Sequence, residues 1–210
     1  VVEEGAIIGA GCIIGEDCVV GAGSELIARV TLVTRVTVGK RVRIHPGAVL
    51  GAAGFGLAMD AGRWLNVPQL GGVRIGDDCE IGANTCIDRG ALEDTVLDAD
   101  VRVDNLVQIA HNVQIGSHTA IAGSTGIAGS AKIGRYCLLG GAVGVVGHLE
   151  SCDKVVVTGK SVVRNSITEP GEYSSGTPLT DNRTWRKNAA RFKQLDTLAR
   201  KLAAVSKEKE

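Results

Sequence analysis

The chain has 210 residues with 23 basic and 23 acidic side chains, so no net field draws it to nucleic acid or to an anionic membrane. Aromatic residues make up only 3% while glycine reaches 29, which excludes an ordinary core built on large rings and points to repetition as the source of buried area. No apolar run approaches the roughly 18 residues of a membrane span and no charged-apolar-small leader opens the chain, so the expectation is a soluble cytoplasmic protein without stable membrane insertion.

From Val2 an aliphatic residue returns every sixth place, at Ile8, Ile14, Val20, Leu26, Leu32, Val38, Ile44 and Leu50. Glycine commonly follows it, as in "IIGAGC", "IIGEDC" and "VVGAGS", so the unit reads aliphatic-Gly-x-x-small-x. The period resumes at Ile75, Ile81 and Ile87, then runs from Leu97 through Val103, Ile109, Ile115, Ile121, Ile127, Ile133, Leu139 and Val145 to Val157 and Val163, with one lapse at Ser151. So short a repeat signals a parallel β-helix in which each unit is a strand plus a corner, the aliphatic and the small residue pointing inward. The six-residue form resembles known hexapeptide-repeat proteins, and that resemblance implies a left-handed prism with three units per coil. Residues 18 apart then stack vertically, with coils ~4.8 Å apart.

Two interruptions break the register. Residues 51–74, "GAAGFGLAMDAGRWLNVPQLGGVR", hold Phe55 and Trp64 and should project as a loop, and "RGALEDTV" at 89–96 adds four residues that should bulge at a corner. The organisation expected is a β-helix over 1–165 with that loop, a turn-rich connector over 166–182, and a C-terminal helical extension over 183–210. In the extension, Trp185, Ala189, Phe192, Leu195, Leu198 or Ala199, and Leu202 fall at helical spacing on one face. Cys12, Cys18, Cys79 and Cys137 each stand four places after a repeat aliphatic, where other units have Ala, Val, Thr or Ser. They read as reduced, small core residues and lack the spacing of a zinc site.

The polar residues are unevenly placed. In "VDNLVQIAHNVQIGSHTAIAG", residues 103–123, His111 interrupts the apolar ladder among Asp104, Asn105, Gln108 and Asn112. At steps of 18 above it come Gly129 and Gly147, so His111 sits at the foot of a bare groove. His148, 37 residues on, is two coils and one residue away and shares that side of the prism. A solvated corner histidine is the plain alternative, but the polar company favours function for His111, His148 and Asp104, and their absence leaves His45 and His118 structural. A flat prism face gives little shelter, so the groove becomes a cleft only when another copy packs on it; a homotrimer supplies three such clefts.

"EIGANTCIDRGALEDT", "DNLVQIAHNVQIG", "GIAGSAKIGRYCLLGGAVGVVGH", "EPGEYSSGTPL" and the 51–74 loop together closely resemble the UDP-3-O-(3-hydroxyacyl)glucosamine N-acyltransferases of lipid A biosynthesis, over nearly the whole chain. The resemblance implies transfer of a 3-hydroxyacyl group from acyl carrier protein to the 2-amino group of a UDP-linked, 3-O-acylated glucosamine. An ammonium cannot attack a thioester, so a base must take a proton as the C–N bond forms, and histidine suits that near neutral pH. His111 matches the family's base, Asp104 would orient or polarise its imidazole within or between chains, and Gly129 would offer a backbone N–H to the oxyanion.

Asn105, Gln108, Gly147 and His148 would line the substrate groove, His148 placing the acyl 3-hydroxyl or the thioester arm. Val162 lies where a larger side chain would stop an acyl tail. Lys160 and Arg164 would meet the phosphate of 4'-phosphopantetheine, which enters as part of the carrier-protein substrate; no cofactor is permanently bound and no metal is required. The basic run Arg183, Arg186, Lys187, Arg191 and Lys193 is a solvated helix face or a dock for the acidic carrier protein. Family members carry a further N-terminal domain that helps recognise uridine, and this sequence starts inside the repeats at Val1, so it is expected to lack that domain. Rival readings are another hexapeptide acyltransferase such as the UDP-N-acetylglucosamine O-acyltransferase, a zinc carbonic anhydrase on the same prism, and a non-catalytic solenoid.

Overall fold

Two inward positions per six residues decide the architecture of most of the chain. Val107 with Ile109, and Val113 with Ile115, are each no more than 1% exposed, while Gln108 and Gln114 between them face outward. Each unit therefore forms a short strand that buries two small apolar groups on one side, and the next unit turns a corner to do the same. The computed structural model describes residues 1–207, and the chain divides into a unit spanning Val1–Ser175 and a second beginning at Gly176.

The first unit is a parallel β-solenoid. Among the described residues its three faces are sheets of nine, eight and seven strands. Face one runs from Ile7–Ile8 to Gly171–Tyr173, face two from Ile13–Glu16 to Val162–Val163, and face three from Val19–Val20 to Glu150–Ser151. The chain visits them in that order, and the aliphatic residues fill the space between. Stacking follows the expected interval: on face two Gln108 pairs with Gly126, Gly126 with Gly144, and Gly144 with Val162.

Corners recur every six residues and take a left-handed backbone residue, including Asn112 at φ 59°, Ser130 at 61° and His148 at 59°. Such a conformation costs an L-residue roughly 1 kcal/mol. It turns the residue's N–H toward the coil before, where Ser130 donates to the His111 carbonyl at 2.9 Å and His148 to that of Gly129 at 3.1 Å. Cys18, Cys79 and Cys137 are buried in the core, Cys12 packs against it, and all six cysteines are free thiols. Burial pushes the Cys79 thiol up to about 11.

The 51–74 segment is more ordered than a plain loop. It forms an antiparallel hairpin, Leu57–Asp60 with Arg63–Asn66, that exposes Trp64. Its tail returns to the solenoid, Leu70 N–H donating to the Ala91 carbonyl at 2.7 Å and Gly71 N–H to that of Gly90 at 2.9 Å. The solenoid also outlasts residue 165, because Gly171–Tyr173 adds a strand to face one beside Val155–Val157. That strand lies inside the segment expected to be an irregular connector; turn residues such as Pro170 and Gly171 hid it.

The second unit holds α1 (Asn182–Phe192) and α2 (Leu195–Lys207) where the spacing suggests one helix. Asp181 caps α1, its Oδ1 accepting from the Thr184 N–H at 3.0 Å. At the break both Lys193 and Gln194 N–H point to the Arg191 carbonyl, a tightened turn formed without any Gly or Pro to announce it. Trp185, Phe192, Leu195 and Leu198 are exposed; the side chain of Leu202 and residues 208–210 of the expected extension lie outside the described residues. No helix among the described residues is long and apolar enough to cross a membrane.

Candidate active site

His111 follows the strand Gln108–Ile109 and stands at the corner between faces two and three. Its ring lies directly against Gly129: a Cβ at that glycine would come within 2.6 Å of both Cε1 and Nε2. Only a residue without a side chain can occupy 129 while the imidazole keeps this place. On another side the hairpin segment approaches, and a Cβ on Gly54 would stand 3.0 Å from the His111 Cβ. Nδ1 of His111 is 3.0 Å from Oδ1 of Asn112. The Gly129 carbonyl is occupied by the His148 N–H, whereas the Gly129 N–H has no backbone acceptor among the described residues and remains available as a donor.

Face two beyond this corner is bare. A Cβ on Gly126 would meet nothing within 4 Å, and one on Gly144 only Val162 Cγ2 at 3.9 Å. Neither glycine is at positive φ, so neither backbone strain nor crowding requires glycine there, and what the pair supplies is open space. The column ends at exposed Val162, flanked by exposed Lys160 at the corner and exposed Arg164 on the face.

Other expected residues are placed differently. His148 is not above His111; it is itself a left-handed corner residue, exposed, one position further round than Gly147. Its coil-to-coil register aligns it with Ser130 and Asn112, because 37 residues is one more than two full coils. Asp104 and Asn105 sit at the opposite edge of face two. There Asp104 accepts from the Gly123 N–H at 2.9 Å and from Asn105 Nδ2 at 3.0 Å, while Asn105 Oδ1 accepts from the Ala83 N–H at 2.7 Å. Within one chain, then, Asp104 is committed elsewhere and the His111 Nδ1 position belongs to Asn112. His45 is held by Glu80 at 2.7 Å, and His118 by Asp100 at 2.8 Å with its ring stacked on Tyr136.

The sequence reading missed Asp88. It accepts from Gln108 Nε2 at 3.0 Å, and burial raises its carboxyl above the usual range, opposed by the Gln108 bond and by the charge of His111. Adding the four inserted residues to the 18-residue step carries Asp88 onto Ala110, beside His111; that arithmetic was the available signal. Gln69 was also missed. Its Nε2 donates to the Val67 carbonyl at 3.1 Å, and its Oε1 is buried without a partner among the described residues, near Gly54. No cluster of three or more potential metal ligands occurs among the described residues.

No known protein-family profile matches the chain. It is 85% identical over 169 residues to a UDP-3-O-acylglucosamine N-acyltransferase of Xanthomonas axonopodis pv. citri (strain 306), covering 80% of this chain and 50% of that protein. The enzyme of the same name from Xylella fastidiosa (strain 9a5c) is 78% identical over 167 residues, 80% of this chain and 49% of the relative. The chain thus spans about half the length of the curated relatives it matches, and over four-fifths of itself it is their close sequence relative. Among solved structures, the UDP-N-acetylglucosamine acyltransferase of Francisella novicida superposes with a TM-score of 0.72 at 24% identity, over 90% of this chain and 71% of that one, a likeness of fold.

Proposed function

We propose that this chain contains the acyl-transfer centre of a UDP-3-O-acylglucosamine N-acyltransferase. It works in the cytoplasm, moving a 3-hydroxyacyl group from acyl carrier protein to the 2-amino group of UDP-3-O-acylglucosamine on the way to lipid A. The observation that carries the reading is the His111 ring lying against Gly129 at the edge of an empty glycine column. The solenoid is taken to wind left-handed, as in other hexapeptide-repeat proteins.

In the reaction the acceptor nitrogen attacks the thioester carbonyl and the C–N bond forms. His111 Nε2 takes the proton the nitrogen sheds. The carbonyl oxygen becomes an oxyanion and accepts from the Gly129 N–H, which no side chain screens. Collapse breaks the C–S bond, and the imidazolium returns its proton to the departing thiolate of phosphopantetheine. That group arrives with the donor substrate, so the chain's own residues complete the cycle without a permanently bound cofactor or a metal.

The acyl chain lies along Gly126 and Gly144 toward Val162, Lys160 and Arg164 face the pantetheine phosphate, and His148 with Gly147 meets the acyl 3-hydroxyl. Gln108 and Asp88 stand beside the acceptor amine. One prism leaves this groove with a single wall, and Asp104 of the same chain is turned away from His111, so a homotrimer closes the groove with a neighbour's Asp104 edge. The basic residues of α1, all exposed, offer a dock to the acidic carrier protein.

The test is N-acylation by acyl carrier protein thioester, with UDP-3-O-acylglucosamine set against UDP-N-acetylglucosamine as acceptor. The amine is expected to be the acceptor used, and His111→Ala to lower kcat by at least ~100-fold with the fold intact. Near-normal turnover in folded His111→Ala removes the base assignment, preference for the hydroxyl acceptor makes the enzyme an O-acyltransferase, and a monomer by light scattering at micromolar concentration rules out the shared cleft.

A further inference from the structure

We propose that the insertion at 89–94 is a clamp that holds His111 in a single tautomer, with Asn112 as the positioning residue through which it acts. The inference deepens the reading of His111 as the base and rests on it. The insertion is visible in the register. Cys86 pairs with Gln108 across 22 residues and Gln108 with Gly126 across 18, so this coil holds four more.

At regular corners the left-handed residue donates its N–H to the carbonyl 19 residues back, as Ser130 does to His111 and His148 to Gly129. The same count from Asn112 reaches Glu93. Here the bond is rerouted. The Glu93 carbonyl accepts from the Asn112 side chain, Nδ2, at 3.0 Å, and the Asn112 backbone N–H goes to Thr95 Oγ1 at 2.9 Å.

This exchange determines which way the amide points. The oxygen and nitrogen of an asparagine side chain are nearly the same shape, so only their partners distinguish them. Ala91 N–H can only donate, and it contacts Oδ1 at 3.0 Å; the Glu93 carbonyl can only accept, and it contacts Nδ2. The atom facing His111 Nδ1 at 3.0 Å is therefore an acceptor, and Nδ1 must carry the proton. A neutral imidazole so held has its lone pair on Nε2, the atom that lies over Gly129.

The clamp is itself anchored. The tail of the hairpin segment bonds to its backbone at Gly90 and Ala91, and Gly72 N–H donates to Asp94 Oδ1 at 2.7 Å. Gly90 is required, because a Cβ there would fall on the Glu93 carbonyl oxygen and come within 3.1 Å of Asn112 Nδ2. The insertion thus supplies one backbone donor and one backbone acceptor at the spacing of a primary amide.

The tautomer can be read by NMR from the ring-nitrogen couplings of protein labelled with 15N-histidine, the His111 signals being assigned with His111→Gln. Wild-type neutral His111 is expected to be wholly the Nδ1–H form. Asn112→Ala should mix the tautomers and lower kcat by about tenfold to 100-fold with KM nearly unchanged, the size of effect a misplaced catalytic group produces. Asn112→Asp keeps the acceptor and should retain the Nδ1–H form, and Gly90→Ala should mix the tautomers with both His111 and Asn112 still in the sequence. An Nε2–H signal in the wild type, or an unchanged Nδ1–H signal in Asn112→Ala, overturns the clamp. If Asn112→Ala mixes the tautomers while kcat stays at the wild-type value, the clamp stands and the base assignment fails. Should Gly90→Ala not fold, the wild-type and Asn112→Ala spectra decide alone.

Discussion

Faces one and two of the solenoid share a backbone and a core and differ in what they present outward. On face one the outer column reads Glu25, Arg43, Glu80 and Arg102, then Ala120, Leu138 and Val156. Its charges pair along the column, Arg43 with Glu25 at 3.1 Å and Arg102 with Glu80 at 3.2 Å. On face two the column reads Thr31, Val49 and Cys86, then Gln108, Gly126, Gly144 and Val162. The inner positions of both are aliphatic and buried, so stability is common property, while on the proposed reading the chemistry falls to the outer column of one face. Substitutions should therefore divide: those on face two alter turnover or substrate choice at constant stability, and those on face one alter stability slightly at constant turnover.

The largest effect is expected at the edge of face two. Gly129→Ala would put a methyl within 2.6 Å of the His111 ring, and a displaced base should lower kcat by about 100-fold. Because the methyl points out of the core, the urea midpoint should stay near the wild-type value. A matching fall in stability would mean that the glycine serves the fold and that the division between faces is wrong at this corner.

A smaller and more selective effect is expected further along. Gly126→Leu has open space to enter, so it should fold normally and reduce kcat/KM for long acyl donors by roughly tenfold or more while sparing short ones, the range that hydrophobic pockets discriminate. Equal losses across donors of all lengths would place the acyl chain elsewhere.

The smallest effect belongs to face one. The Glu80 carboxyl is held below the usual carboxylate range chiefly by the bond from His45, with Arg102 assisting. A carboxyl lowered in the folded state contributes stability above its unfolded value, near 4.3, and loses it as pH falls through the folded value. Glu80→Gln should therefore cost less than about 1 kcal/mol at pH 7, since the side chain is 38% exposed and its pairs are screened. The difference between variant and wild type in urea titrations should shrink as pH falls from the unfolded value through the lower folded one, with turnover at pH 7 the same in both. A difference that does not shrink on acidification would assign it to packing.

Much of this could be read from the order of residues. Inward positions recur with a strict period, so Ile109, Ile115 and Ile127 identify the core without knowledge of any contact, and steps of 18 correctly stack Gly129 on His111. The count is not enough where a residue sits on a corner. His148 is one position beyond Gly147, at a left-handed turn where the repeat number alone does not give the side chain's direction. It falls short again at Asp88, because the insertion must be added before the step is taken. The hairpin at 57–66 was hidden because its residues are exposed and carry no burial pattern, and the break after α1 because a shift from one carbonyl to its neighbour needs no special residue. Asn112 was noticed as polar company, but its role depends on two backbone atoms of an irregular segment.

The uniform rise of the coils bears on how such a groove changes over evolutionary time. Each added coil brings 18 residues and lengthens face two by ~4.8 Å, a distance equal to several methylene groups, so if the acyl chain lies there as proposed, duplication of repeats alters its capacity only in coarse jumps. Fine adjustment is left to the bulk of single side chains in the column, such as Val162, which can move the floor of the groove by fractions of a coil without disturbing the hydrogen bonds that hold the coils together. The architecture quantises length, and point substitution interpolates between the steps.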